Sequence, residues 1–462
     1  MATSEAARLG YESTRAERWS FCAYSFGQIV IYTIVSTYVQ LYMTDIGITA
    51  AATGVILLVA RIWDGVNDPI FGVIVNRMNL GAGKYRPWLN TSAPLIALFT
   101  IGIFIVPSSL DVVAKTALVA VMYLLWDLSY TMCDIPYFSI TTVMTGDVAE
   151  RNAIISRGRI FTGLGAVFVV GLFPKLYPKI GWPMAVGIMA LVGFAGMFFL
   201  GRVSVERHRP PADESPSLGE LLRIVVGNRY LMVLCAAAVI TSVCNFVTVV
   251  LPYFAIHVLG GEQMLSLVQL TSLGTMLVFI VFAPTLIRKV DKFYVLLGSL
   301  VVWALMSLVM YLVGYDDLVL FLVVASIRTA AAGFPGTFLV LFIVDCAEYA
   351  RFVSGEDATA ATVSIQTVTN KINGALASGF AMLILGFAGF IEGEGAVQSP
   401  EVLRLIWHLM SWLPAPGAIL AAALLWFKYR LRDSDIQLMS LANQGQLTPD
   451  EARSGFSPGV RA

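Results

Sequence analysis

Charge is scarce in this chain of 462 residues: 13% of it is Asp, Glu, Lys or Arg and 58% is hydrophobic. A soluble domain carries about a quarter charged residues. A body this size with so few cannot cover itself against water, which excludes a string of soluble domains and points to a polytopic membrane protein. Thirty basic and thirty acidic residues cancel, so no overall field draws the chain to nucleic acid. The three histidines, His208, His257 and His408, lie far apart and form no ligand cluster. The five cysteines (Cys22, Cys133, Cys235, Cys244, Cys346) are scattered, with neither a zinc spacing nor a paired framework, and read as packing residues. Gly81 to Lys84 resembles a phosphate loop, but Tyr85 follows where a magnesium-binding hydroxyl is needed, which argues against an ATP-driven pump. No nucleophile and base pair stands out, so an enzyme is not expected, and no cofactor beyond a coupling ion is required. Residues 1–17 lack the apolar core of a cleavable signal, so the first hydrophobic segment is expected to remain as a span.

What the sequence does contain is long apolar runs. A transmembrane helix needs about 20 mainly apolar residues, and twelve segments qualify: 19–43, 53–75, 88–106, 116–138, 160–176, 183–200, 231–255, 264–287, 296–313, 319–344, 363–387 and 402–427. The fold expected is all-α, with two six-helix bundles at 19–201 and 230–428. A polar connector at 202–229 joins them, and tails at 1–18 and 429–462 flank them. Lys and Arg collect in alternate loops, as at Arg77, Lys84 and Arg86, or Arg288, Lys289 and Lys292. By the inside-positive bias both termini are then cytoplasmic, in a multi-pass protein of the cell's inner membrane. Trp19, Trp88, Trp182 and Trp426 near span ends read as interfacial anchors, and the small-residue runs 187–196 and 236–238 as close helix packing.

Ionisable side chains inside spans need a reason, because placing one at the bilayer centre costs about 3 to 17 kcal/mol depending on the method. The second span holds Arg61, Asp64, Asn67, Asp68 and Pro69. Asp64 and Asp68 project from one helical face a turn apart, with Arg61 on the same stripe. Two carboxylates, the Asn67 amide and a carbonyl freed by Pro69 form an oxygen-rich set that suits a hard monovalent cation. In the fourth span Asp127, Thr131, Asp134 and Phe138 share a face. There Thr131 is expected to add a hydroxyl to the cation site, and Asp134 with the Phe138 ring to hold a sugar by hydrogen bonds and stacking. Asp127 reads equally well as a coupling residue or a local helix-packing group. The eleventh span offers Gln366, Thr367, Asn370, Lys371 and Asn373, and Lys371 opposite the aspartates would reduce their repulsion. Arg159 reads as a substrate or gate residue or as an inside-positive anchor, while Asp345 and Glu348 suit a cytoplasmic gate or loop.

Arg61 to Pro69, the loop from Gly83 to Trp88, Tyr130 to Tyr137, Asp345 to Tyr349 and Gln366 to Lys371 occur in both halves and in one order. In these blocks the sequence resembles the glycoside-pentoside-hexuronide:cation symporters of the major facilitator superfamily, the melibiose carrier type. The resemblance implies the major facilitator fold, a coupling-cation site at Asp64, Asn67, Asp68 and Thr131, and sugar-site positions at Asp134, Arg159, Gln366, Thr367 and Lys371. The sequence departs from the melibiose carrier at Gln28, Ile29 and Phe138, where that carrier has lysine, aspartate and tryptophan. Glu356 and Asp357 stand where relatives often have basic residues.

The function expected is secondary active symport of a sugar or glycoside with Na+ or H+, by alternating access in a monomer. If sodium is the coupling ion, Asp64 and Asp68 are its metal ligands. The competing readings are a cation-linked carrier of lysolipids or other amphiphiles, made reasonable by Ile29 and Phe138, and a transport-silent nutrient sensor.

Overall fold

The computed structural model describes residues 11–78, 83–208, 227–287, 289–354, 359–393, 395–457 and 460. Within its helices some side chains are also outside the description, those of residues 363–368 and 370–372 among them. Every regular element among the described residues is a helix. In the first half these are α1 (Arg15–Asp45), α2 (Ala50–Arg77), α3 (Arg86–Phe104), α4 (Val112–Met144), α5 (Val148–Ile180), α6 (Trp182–Met197) and the short α7 (Leu200–Val203). The second half has α8 (Arg229–Val243), α9 (Val247–His257), α10 (Glu262–Ile287), α11 (Lys292–Val313), α12 (Leu318–Ser354), α13 (Thr359–Phe387), α14 (Pro400–Met410) and α15 (Pro414–Lys428). Two helices follow, α16 (Asp433–Asn443) and α17 (Pro449–Gly455).

All twelve expected spans fall on helices. Ten segments among the described residues are long and apolar enough to cross a membrane. The second span is not one of them, and the eleventh contributes only the apolar portion Leu376–Phe387. Polar side chains set the starts. Thr14 and Glu17 form a capping box at α1, and Thr49, Asp111 and Asp147 accept from the first-turn N–H groups of α2, α4 and α5.

Two spans of the second half are broken where one continuous helix is expected. The seventh stops at Val243 and resumes at Val247, and the twelfth stops at Met410 and resumes at Pro414. The second break follows from sequence: the Met410 carbonyl would accept from the N–H of residue 414, which is a proline and has none. The first break contains no proline, and it lies where α15 presses in. A Cβ on Gly417 would lie 2.7 Å from Cys244 Cβ and 3.1 Å from the Ile240 carbonyl.

The chain divides into two compact units. Unit 1 comprises residues 1–213, 255–267 and 382–402. Its centre is the crossing of α1 and α6, where a Cβ on Gly27 would come within 2.3 Å of the Gly193 carbonyl, and one on Gly196 within 2.7 Å of the Ala23 carbonyl. The glycine run thus works by close backbone approach at Gly193 and Gly196, whereas Gly187 faces open space. At one end of the unit Glu206 accepts from the backbone N–H groups of Lys84, Tyr85 and Arg86 (2.7, 2.8 and 3.0 Å), capping α3, and Arg207 forks onto Glu17 at 2.8 and 2.9 Å. At the other end Glu392 accepts from Ala50 N–H at 3.0 Å and Gly393 N–H donates to the Thr44 carbonyl at 2.9 Å.

Unit 2 comprises residues 214–254, 268–381 and 403–462. Its core joins Leu234, Leu300, Trp303, Phe334 and Leu425 to residues of the C-terminal segment, including Tyr429, Met439 and Phe456. That segment is therefore packed, not a loose tail. Lys292 holds it by bridging Asp345 (2.9 Å) and Asp433 (2.7 Å), and Asn443 donates to Glu348 Oε2 at 2.8 Å.

Candidate functional site

The charged residues of α2 and α4 meet inside unit 1. Asp64 and Asn67 on α2 are buried, as are Asp127 and Thr131 on α4, and Asp68 is half-buried. Thr131 donates its hydroxyl to Asp68 Oδ1 at 3.1 Å, the contact expected if these two faces meet. Arg61 lies 3.8 Å from Asp64 Oδ2 and in electrostatic reach of Asp127, Tyr32 and Tyr123. Asn67 Nδ2 is a buried donor without a hydrogen-bond partner among the described residues, which leaves it available to an incoming oxygen.

One turn further along α4, Asp134 Oδ1 accepts from Gln28 Nε2 of α1 at 2.7 Å. Phe138 is 68% exposed, with the Tyr137 ring at 5.1 Å. Its ring face is not taken up by packing, as a stacking platform requires. Arg159 is exposed on α5. Gln366, Thr367 and Lys371 lie on α13, but their side chains are outside the described residues, so their distance from the aspartates has no structural account. Asp345 and Glu348 belong to the contact with the C-terminal segment described above.

Three features of the molecule escape the sequence argument. Gln28 enters it only as a departure from the melibiose carrier, yet it holds Asp134. Around Arg61 stands an aromatic group, with Tyr32 to Tyr130 at 5.3 Å, Trp126 to Tyr130 at 5.1 Å and Tyr123 to Trp126 at 5.7 Å. The spacing of Tyr123, Trp126 and Tyr130 along α4, three and then four, is its legible signal. The third is Arg328, a guanidinium mid-way along α12 with 2% of its surface exposed. It donates to the Met410 carbonyl, replacing the N–H that Pro414 lacks, and approaches Met310 Sδ at 2.9 Å. A lone charge in the middle of an apolar run is visible in sequence; its partner, a backbone carbonyl 82 residues away, is not.

A bundle of membrane-length helices that gathers carboxylates, an amide and a guanidinium on facing polar surfaces is the frame of a membrane transport protein. The chain belongs to the MFS/sugar transport protein family, which it matches over residues 20–433. It is 27% identical over 429 residues to the uncharacterized symporter YjmB of Bacillus subtilis (strain 168), covering 90% of this chain and 92% of that one. To the glucuronide carrier protein homolog of Escherichia coli (strain K12) it is 25% identical over 426 residues, covering 89% and 92%. Among solved structures, the nucleoside transporter NupG superposes with a TM-score of 0.65 at 13% identity, over 89% of this chain and 99% of that one. That likeness concerns the fold.

Proposed function

We propose that the protein is a symporter that couples the entry of a sugar or glycoside to a cation, Na+ or H+, by alternating access, with both termini cytoplasmic. The observation that carries this reading is the group of four aspartates on α2 and α4, Asp64, Asp68, Asp127 and Asp134, with Arg61 as the basic side chain set against them. Buried negative charge of this kind is costly in a bilayer and persists where an ion or proton neutralises it in the working cycle. Asp64, Asp68, the Asn67 carbonyl oxygen and Thr131 are the cation's ligands. Asp134, Phe138 and Arg159 are assigned to binding the substrate, as are Gln366, Thr367 and Lys371 on the resemblance of their segment to the symporter family. Names of relatives support the pairing of symport with sugars, one being called a symporter and another a glucuronide carrier homolog.

Coupling then follows from linkage. A cation between the carboxylates lowers their mutual repulsion and permits the substrate site to form, raising substrate affinity by about 1 to 3 kcal/mol in typical cases, and substrate raises cation affinity equally. The test is uptake into proteoliposomes of a panel of glucuronides, pentosides and galactosides, under sodium and proton gradients separately. One gradient should drive accumulation in the native protein, and Asp68→Asn should abolish accumulation while the protein still inserts. Native accumulation in that variant refutes the assignment.

A further inference from the structure

At the break in the seventh span unit 2 contains a partly open cavity of about 170 Å³. It opens among α8, α11, α12, α13 and α15, and none of the described residues that line it is charged. Its polar side is made by Thr241, Ser242, Asn245 and Asn373; its apolar side includes Trp303 and Leu300. Thr241 and Ser242 both send their hydroxyl protons to the Ala238 carbonyl, at 2.8 and 2.9 Å, so each turns only lone pairs to other partners. Asn373 Oδ1 is buried and has no hydrogen-bond partner among the described residues. Ala237, which belongs to the buried core of unit 2, and Ala238 also border the cavity.

We propose that this cavity is a second ligand site, separate from the acidic group of unit 1, and that it takes a small uncharged alcohol with one ring-sized apolar face, phenol being the simplest. Each part of that description has its cause in the walls. Thr241, Ser242 and Asn373 Oδ1 turn lone pairs to the space, so an occupant that donates a hydrogen bond is matched, and Asn373 Oδ1 is the acceptor left open for it. With no ionised side chain among the described lining residues, a charged occupant would lose its hydration without a counter-charge. The apolar walls match a ring, and the volume is that of one: a cavity of about 150 Å³ lined by apolar side chains holds benzene. The interrupted helix beside it is the usual setting for a site within a membrane, where irregular backbone is tolerated only against protein or a cavity. The inference does not depend on the symport reading.

The test uses the full chain in nanodiscs and fluorine NMR of 4-fluorophenol, with empty nanodiscs measuring partition into lipid. Saturable binding above partition is expected for the native protein, and equally for Asp68→Asn, which separates this site from the proposed cation site. Asn373→Leu should weaken 4-fluorophenol about tenfold, the loss of one buried hydrogen bond, while leaving fluorobenzene, which has no donor, unchanged. Ala421→Trp should abolish binding of both by filling the space, and Leu300→Trp does the same from α11 if the first variant fails to fold. Signals that only follow lipid partition in the native protein, the result for a cavity that holds water alone, overturn the proposal. So does 4-fluorophenol affinity that survives Asn373→Leu or both filling substitutions.

Discussion

Thr131 decides between two roles for a hydroxyl that touches a carboxylate. Its side chain is 2% exposed and donates to Asp68 Oδ1 at 3.1 Å, a long contact for a hydroxyl on an ionised acceptor, where about 2.6 Å is usual. Hydrogen bonds to charged groups are worth about 1.5 to 3 kcal/mol, and the length places this one at the lower end. Thr131→Val keeps the volume and removes the oxygen. If the hydroxyl turns its lone pairs to the cation, the variant loses a ligand, and about 1.5 kcal/mol corresponds to a cation affinity roughly tenfold weaker. If Thr131 only anchors Asp68, the freed carboxylate becomes more available and the affinity rises. The reading given above requires the fall. It is measured by titrating substrate binding to purified protein against cation concentration, with Thr131→Ser, which restores the oxygen, expected near the native value. An unchanged or strengthened cation response in Thr131→Val would remove Thr131 from the ligand set.

Arg328→Met removes the donor that serves the Met410 carbonyl; a loss of about 1.5 to 3 kcal/mol is expected, reduced by the charge no longer buried. Pro414→Ala returns an N–H to that carbonyl, so the double variant should recover most of the melting temperature lost, and purely additive losses would contradict the cap. Gly27→Ala sets a methyl 2.3 Å from the Gly193 carbonyl, and the backbone shift it forces should cost about 1 to 3 kcal/mol or more, read as a lower thermal midpoint of the purified protein. An unaltered midpoint would mean that α1 and α6 do not cross there. Lys292→Ala leaves Asp345 and Asp433 facing each other without their shared cation; residues 429–462 should then become sensitive to limited proteolysis, and unchanged protection would show that apolar packing alone holds the segment.

Much of the fold was legible because bilayer physics acts on composition. A run of about 20 apolar residues has few alternatives to a spanning helix, and the twelve runs all became helices. The charged face of α2 and the polar face of α4 were legible for the same reason, since helical spacing alone puts Asp64 beside Asp68 and Thr131 beside Asp134. Pairing across elements was not. The bond from Gln28 to Asp134 joins positions 106 residues apart, and nothing local to either names the other. The break at 244–246 carries no proline and lies against Gly417 of a distant helix. The break at 411–413 does carry its proline signal, which a hydropathy window averages away.

Sequence by itself therefore determined that this protein lives in the membrane, how many times its chain runs through apolar surroundings, and which helical faces carry charge. These properties follow from the 3.6-residue period and the cost of placing a polar group in lipid, and both are local. Tertiary structure decided which buried charge meets which partner: Thr131 with Asp68, Gln28 with Asp134, Arg328 with a carbonyl that a proline left unserved. Those choices depend on how closely two backbones approach, and that distance is set by side chains far apart in the chain.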